Sequence, residues 1–590
     1  MRAVFEISKV FTLICCCWLS SCGLNNTHQT LSKNPASAGP NAPKQSIVQK
    51  IKTYGHLPVA ERIAYYHQLK KENPSAYNFE NEDEITMYGY SLLWENKVAE
   101  ALEIFKLIAQ EFPNSANAYD SLGEAYLKNG DMTLSLANYE KALAMNPDNF
   151  NAEDQIERIK HPEKPVEQLS DLFLKVFTSK EYRDDLDQLA KTLLKVHPNA
   201  TKFISEKDLW KLVEQKKSLI TERTTFPEFV WHCNEIIASL HCSHTEMGRF
   251  YVENELLPPH LKFPLLTRLV DEKLYVIDPL SNTGQVNTKD EIMSINGVAV
   301  SQLIAAIYPH ITAQGFIQTT KRHVFNMHAT VMIPYALGFP ETYTIELKGK
   351  DKPLVLNKQE GKITPRRNPI YRCTDGLCLE FLGDQKTAVM SITTFNYYPF
   401  NDLDVFTAFI DKSMAEIKQK GIKNLIIDVR WNGGGSQHAS IHLLRYLAKK
   451  TFVYYSRAEF EGKTEKVLGE EAVEPFKNRF KGKLFFMMDG LGNSTTGHFM
   501  SLVKVMNLGT IVGEELGSNQ FCSAGQKVCR LKHTKLVFNV ANNTHESTAT
   551  TLPDETGILP DYRVSQSIDD YLKGVDTVKE FTIDLAKKQP

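Results

Sequence analysis

The stretch KLFFMMDGLGNSTTGHFMSLVKVMNLG, residues 483–509, decides how the second half of the chain folds. Residues 484–488 are a short apolar run of strand length, and the run that starts at His498 is longer and helix-like. Between them lie Gly490, Gly492 and Gly497, framing three adjacent hydroxyls, Ser494, Thr495 and Thr496. A hydroxyl on a strand-to-helix turn suits a hydrolytic nucleophile. It suits equally a side chain that caps the helix.

From about residue 370 to the end the same alternation recurs. TAVMSIT, NLIIDVR, KLFFMM and IVGE read as buried strands, with helical segments such as AFIDKSMAEIKQKG between them. Short apolar strands alternating with helices predict α/β layering with strands covered on both faces. Upstream of the hydroxyl turn, NLIIDVRWNGGGS (424–436) runs a strand into Asp428 and Arg430 and then into Gly433, Gly434 and Gly435. Consecutive glycines let a backbone approach a ligand and aim N–H groups at it, as an oxyanion hole requires. A flexible loop is the plainer reading of the same residues.

Further towards the N-terminus the pattern changes twice. Segment 258–357 holds alternating strands, KLYVIDPL and TYTIELKG, and the unit TKDEIMSINGVAVSQLIAAI (288–307) with an Asn-Gly turn. DEIMSINGVAV resembles the signature of a PDZ domain, which binds an extended peptide by strand addition. Lys289 stands where that pattern has glycine, and an insertion follows the helix. Residues 169–257 read as mostly helical. Before a polar stretch near 160–168, ALEIFKLIAQEFPN and SLANYEKALAMNPD align Pro113 on Pro147, 147 − 113 = 34 residues apart. They resemble tetratricopeptide repeats, whose period is 34. Segment 51–160 is therefore expected to be a helical array that binds a protein partner or acts as a spacer.

The first 22 residues carry Arg2, Lys9 and a short apolar run ending in LSSC, which resembles a bacterial lipobox with Cys22 as the lipidated residue. That resemblance implies an exported protein anchored by lipid in the cell envelope, on the outer membrane or the periplasmic face. Residues 23–50 are polar and proline-rich, as a tether would be. A net charge of −2 over 590 residues gives no reason to expect nucleic acid as a partner. Outside the signal, six cysteines remain: Cys233, Cys242, Cys373, Cys378, Cys522 and Cys529. In an exported chain they predict at least two disulfides, with Cys373–Cys378 and Cys522–Cys529 as plausible loops. Cys233 and Cys242 would lie about 13 Å apart on one helix, too far to bond. Metal binding by these cysteines is disfavoured, because no CxxC pair is present.

IIDVRWNGGG, MDGLGNSTTG, IVGEE and GILPDYRV, in that order, resemble the serine peptidases that include the C-terminal processing proteases and the tricorn core, over roughly residues 200–580. The resemblance implies a crotonase- or ClpP-like spiral of ββα units over 370–585, beside the PDZ-like domain. The whole chain is then all-α repeats followed by an α+β and α/β peptidase. It implies Ser494 as nucleophile, five residues past Asp489 and 514 − 494 = 20 before Glu514. Thr495 N–H and a donor from Gly433 to Gly435, Gly433 and Gly434 foremost, would form the oxyanion hole. The processing proteases use a lysine at the position held here by Asn519, so a Ser–Lys pair is not expected. The tricorn-like branch implies His244 as base, with Ser243 as accessory hydroxyl, and Asp554 or the adjacent Glu555 to orient it. His241 and His498 are the alternatives to His244. An α/β-hydrolase esterase using His533 or His545 is disfavoured, because GNSTTG is not G-x-S-x-G. The resemblance implies no metal or nucleotide cofactor. The expected partner is a polypeptide substrate, and the rival reading is an inactive scaffold that binds polypeptides.

Overall fold

The computed structural model describes residues 45–164, 175–247, 257–363, 369–370, 373–397, 403–460, 463–464 and 469–588. Cys22, its signal and most of the tether lie outside the described residues. Two compact units are distinguished, one mainly N-terminal and helical, the other holding the described residues from 175 onward except Tyr397.

The N-terminal unit consists of helices α1 (Ile47–Lys52), α2 (Val59–Glu72), α3 (Glu82–Trp94), α4 (Val98–Glu111), α5 (Ala116–Asn129), α6 (Met132–Met145) and α7 (Phe150–Lys160). Side chains of Asn81, Ser115, Asp131 and Asn149 cap α3, α5, α6 and α7, satisfying N–H groups that helices leave unpaired. The repeat seen in sequence has a packing cause. A Cβ on Gly89 would come within 2.7 Å of the Phe105 ring, and a Cβ on Gly123 would lie 3.0 Å from the Tyr139 ring. Each glycine lets one helix close on the next, and both partners recur after 34 residues (123 − 89 and 139 − 105).

The second unit starts with α8 (Ser179–Val196), α9 (Glu206–Leu219) and α10 (Phe226–Ala238). Reciprocal capping boxes, Thr178 with Glu181 and Thr225 with Glu228, start α8 and α10. An antiparallel sheet follows, in the order β1 (Leu266–Val270), β2 (Lys273–Asp278), β3 (Glu291–Ile295), β5 (Thr344–Leu347), β6 (Leu354–Val355), with β4 (Val298–Ala299) paired to β3. Helix α11 (Val300–Ile307) and the long insertion helix α12 (Gln318–Leu337) separate β4 from β5. Helix α12 packs along the edge strand β1, where the Asn326 carboxamide takes both backbone groups of Leu269: N–H to Oδ1 at 2.6 Å and Nδ2 to O at 3.0 Å. The chain's own helix therefore already uses the main-chain groups at Leu269 that an added peptide strand would need.

A second, mainly parallel sheet is built from β7 (Leu377–Phe381), β8 (Thr387–Ile392), β9 (Asn424–Asp428), β12 (Lys483–Met488), β13 (Thr510–Gly513) and β18 (Tyr562–Arg563), in spatial order β18-β13-β12-β9-β8-β7. All pairs but β7–β8 are parallel. Helices α13 (Asp404–Gln419), α14 (Gln437–Leu447) and α15 (Thr495–Val505) supply the crossovers that parallel strands need. The all-apolar sequence of Leu425–Ile427 and Leu484–Met488 follows, since these residues are buried on both faces. A smaller sheet, β11-β10-β17-β14, contains β10 (Tyr455–Phe460), β11 (Lys463–Thr464), β14 (Phe521–Ala524) and β17 (Asn543–Ser547). The hairpin of β15 (Lys527–Arg530) and β16 (Val537–Val540) reaches back to α8–α10, sharing their core through Leu531, Leu536 and Phe538. Helices α16 (Ile568–Lys573) and α17 (Thr577–Lys588) close the chain.

One disulfide is present among the described residues, Cys373–Cys378. The expected Cys522–Cys529 bridge is not formed. Cys522 is buried and pairs in the ladder with His545, while Cys529 pairs with Phe538 in a different hairpin. Cys233 and Cys242 are also free, buried thiols, Cys233 inside α10 and Cys242 beyond its end.

Candidate active site

Ser494 is the N-cap of α15, with φ 54° and ψ −125°. That backbone region favours glycine, and a serine held there costs about 1–3 kcal/mol. The strain turns its side chain away from the cap role, and no cap hydrogen bond forms. The other two hydroxyls are elsewhere. Thr495 Oγ1 donates to Gly435 O at 2.6 Å, and Thr496 is fully buried. Of the three hydroxyls in the turn, Ser494 is the one that meets the thiol of Cys522.

The glycine loop fits directly over this turn. A Cβ on Gly434 would come within 2.7 Å of Ser494 Cβ and Asn493 O and 3.0 Å of Thr495 N. Asn432 sets the register: Asn493 N–H donates to its carbonyl (3.1 Å), Gly434 N–H to its Oδ1 (2.9 Å), and its Nδ2 to Ile392 O (3.0 Å). The expected oxyanion role of Gly434 is corrected by this bond, because its N–H is already committed to Asn432. Gly434 supplies the close approach instead. Gly433 and Thr495 keep N–H groups to which no hydrogen bond is assigned among the described residues. Asp489, at the end of β12, accepts from Trp431 N–H and Leu491 N–H at 3.1 Å each and so ties the two loops together. Burial raises its pKa, opposed by His323 and by the Trp431 N–H. Trp431 is itself strained, at φ 69°. Asp428 and Arg430, singled out in the sequence, form a buried brace with Asp576 at 2.7 Å rather than facing the turn.

The loop bearing His244 is drawn to the same place. Glu246 exchanges backbone hydrogen bonds with Asn539, Ala541 N–H donates to Thr245 Oγ1, and Gln526 Nε2 donates to His244 O at 3.0 Å. Ser243 Oγ donates to Asn493 Oδ1 at 2.9 Å, beside the nucleophile turn, and lies 3.3 Å from His244 Nδ1. His244 does not hydrogen-bond Ser494. Cys522 Sγ lies against it, 3.5 Å from Nδ1 and 3.9 Å from Nε2. Burial, with some help from His545, pushes His244 down to about 4, so the imidazole is neutral at pH 7. Burial likewise pushes the Cys522 thiol up, leaving it protonated.

The expected acid is not brought to the base. Asp554 accepts from Gln520 Nε2 and pairs with Lys202 at 2.5 Å, and no hydrogen bond or ion pair joins Asp554 or Glu555 to His244. Of the alternative bases, His241 is tied to Gly315 O at 2.9 Å, and His498 is sealed against Tyr454 and Tyr455. Sequence reading missed Asn432, Asp489 and Cys522. An acid closing an apolar strand and an asparagine before a glycine run are signals that could have found the first two. Nothing local marks Cys522, whose place comes from strand pairing. Among the described residues no group of three or more His, Cys, Asp or Glu side chains could hold a metal ion.

A strained serine at a helix start, roofed by a glycine loop with a neutral histidine nearby, is an arrangement that suits serine hydrolysis. Residues 386–564 match the family model Peptidase family S41, and with that segment the chain is a serine-type peptidase. Its substrates are accordingly polypeptides. No curated protein matches the chain. Among solved structures it is similar to mature CPAF complexed with lactacystin, at 14% identity over 69% of this chain and 98% of that one, TM-score 0.47. It is also similar to the photosystem II D1 C-terminal processing protease, at 12% identity over 67% and 98%, TM-score 0.33. The tricorn protease is similar at 16% identity over 70% of this chain and 37% of its own, TM-score 0.32.

Proposed function

We propose that the chain is an exported, lipid-anchored serine endopeptidase in which Ser494 attacks the scissile carbonyl. His244 takes the serine proton and returns it to the leaving amine. Thr495 N–H and Gly433 N–H hold the developing oxyanion. Asp554 or Glu555 orients His244 once substrate is bound, and Ser243 is the accessory hydroxyl. The single observation that supports this most is the backbone of Ser494, strained at φ 54° in a turn where its hydroxyl does not cap the helix. In this reading 51–160 is a tetratricopeptide-like array, 258–357 is PDZ-like, and 370–585 is a crotonase-like spiral. Cys22 carries the lipid in the envelope.

A second reading, an inactive scaffold that binds polypeptides, is favoured by Cys522 standing against His244 and by the Lys202–Asp554 pair. Fluorophosphonate labelling of residues 45–590 separates the two. Labelling lost in both Ser494→Ala and His244→Ala supports the peptidase. A folded wild type that stays unlabelled, with and without added peptide, supports the scaffold.

A further inference from the structure

One face of α12 carries Thr319, His323 and Asn326, spaced i, i+4 and i+7, with Thr320 and Arg322 at its flanks. Each has a polar partner on another segment. Asn326 holds Leu269 of β1 through two hydrogen bonds. Thr320 Oγ1 donates to Gly490 O at 2.9 Å, four residues before Ser494. Thr319 Oγ1 donates to Glu515 O at 2.9 Å. Glu514 receives His323 Nε2 at 2.7 Å and Arg322 at 2.8 Å. The helix thus grips both loops that flank the Ser494 turn, 489–493 and 514–517, from a fixed point on the antiparallel sheet.

Two glycines mark how closely it does so. A Cβ on Gly490 would lie 2.6–2.9 Å from Thr319 and His323 atoms, and a Cβ on Gly517 would lie 2.7 Å from Thr320 Oγ1. Elsewhere the helix is anchored in the core through Phe325, Ala329 and Met332. A cavity of about 60 Å³ opens beside the loop contact, lined by Arg268, His323, Asn326, Trp431, Asp489 and Glu514 among others. The glycine contacts and the hydrogen bonds together set the spacing between helix and loops. None of these α12 residues bonds to Ser494 or His244, so the mechanism above leaves them unused.

We propose that the insertion helix α12 is a positioning element for the nucleophile, with Thr320 and His323 as its positioning residues. It rests on the reading of Ser494 as nucleophile. Losing either bond lets the 489–493 or 514–517 loop drift, and a shift of even about 1 Å at a nucleophile can cost 10²-fold in rate. Substrate contacts are untouched, so the loss falls on kcat and not on KM.

The test uses the 45–590 protein, a fluorogenic peptide substrate and a fluorophosphonate. Thr320→Val and His323→Ala are each expected to lower kcat and the labelling rate of Ser494 about tenfold, leaving KM within about twofold. Thr320→Ser and His323→Gln, which keep a donor at each place, are expected to restore most of both. Labelling and kcat at the wild-type level in Thr320→Val and His323→Ala would overturn the proposal. So would equal losses in the donor-keeping variants, or a loss seen only as a fall in thermal stability. A folded wild type that is never labelled at Ser494 would instead remove the nucleophile reading, and the positioning role with it.

Discussion

The two halves of the site are held in different ways. Around Ser494, two neighbouring loops brace each other through Asn432, Asp489 and Gly434, residues that lie beside the nucleophile or beside the glycine run. Around His244, position depends on partners scattered along the chain: Asn493, Cys522, Gln526 and Asn539. The nucleophile side is complete without substrate. On the other side His244 is neutral but lies against Cys522 rather than bonding Ser494, and Lys202 and Gln520 keep the Asp554 carboxylate. The contrast teaches where substrate binding still has work to do, and mutations can break it at either end.

The largest effect is expected at the finished end. Ser494→Ala should lower turnover of a fluorogenic peptide by about 10⁶-fold, the scale seen when a serine nucleophile is removed. Residual activity above a thousandth of wild type would mean that another group attacks. On the unfinished end, Asp554→Asn and Glu555→Gln measured side by side identify the orienting acid. The working carboxylate should cost up to about 10⁴-fold in kcat, and its neighbour far less. Equal small losses would say that neither reaches His244 during turnover.

Gly434→Ala probes the fit between the loops. Its φ of +97° and the 2.7 Å approach to Ser494 leave no room for a methyl group. A loss of about 10²-fold or more in fluorophosphonate labelling is expected, with the rest of the fold retained by circular dichroism. Labelling at the wild-type rate would show that the glycine loop does not roof the nucleophile.

This comparison also explains what could be read from sequence. The Ser494 turn was legible because its constraints are local: a strand, glycines at close approach and a helix start fall within residues 483–509. The α/β alternation was legible for the same reason, strand by strand. The separation of His244 from Asp554 was not, because the relative placing of residues 310 positions apart (554 − 244 = 310) is set by the tertiary fold. Cys522 was misread as half of a disulfide. Sequence spacing suggested a loop to Cys529, while strand pairing put the thiol opposite His545 and against His244. The insertion helix could be counted as extra length, but its grip on Gly490 and Glu514 needs the tertiary fold.

The pH profile reports how the base side is completed. His244 is held at about 4 chiefly by burial, so in the free enzyme it accepts protons only in more acid solution than an ordinary histidine. The acid limb of kcat/KM, which reports free enzyme, should therefore lie near pH 4, with activity lost as pH falls through it. A carboxylate arriving beside the imidazole stabilises its charged form and raises its pKa, so the limb of kcat should lie higher. In the variant that removes the orienting acid, the two limbs should converge. Wild-type limbs that already coincide would mean that no carboxylate joins His244 on binding.

The smallest expected effect lies where the halves touch. The Cys522 thiol contacts both Ser494 and His244, yet burial keeps it protonated, which makes it a poor nucleophile. If it only fills space between them, Cys522→Ala should leave peptide turnover within about fivefold of wild type. Truncating a buried side chain should cost about 1–2 kcal/mol in unfolding free energy. A rise in kcat would mean that the thiol competes for the imidazole in the resting enzyme and that the base side is held back by it. Loss of turnover on the scale of Ser494→Ala in both Cys522→Ala and Cys522→Ser would assign the chemistry to a cysteine and reverse the roles of the two halves.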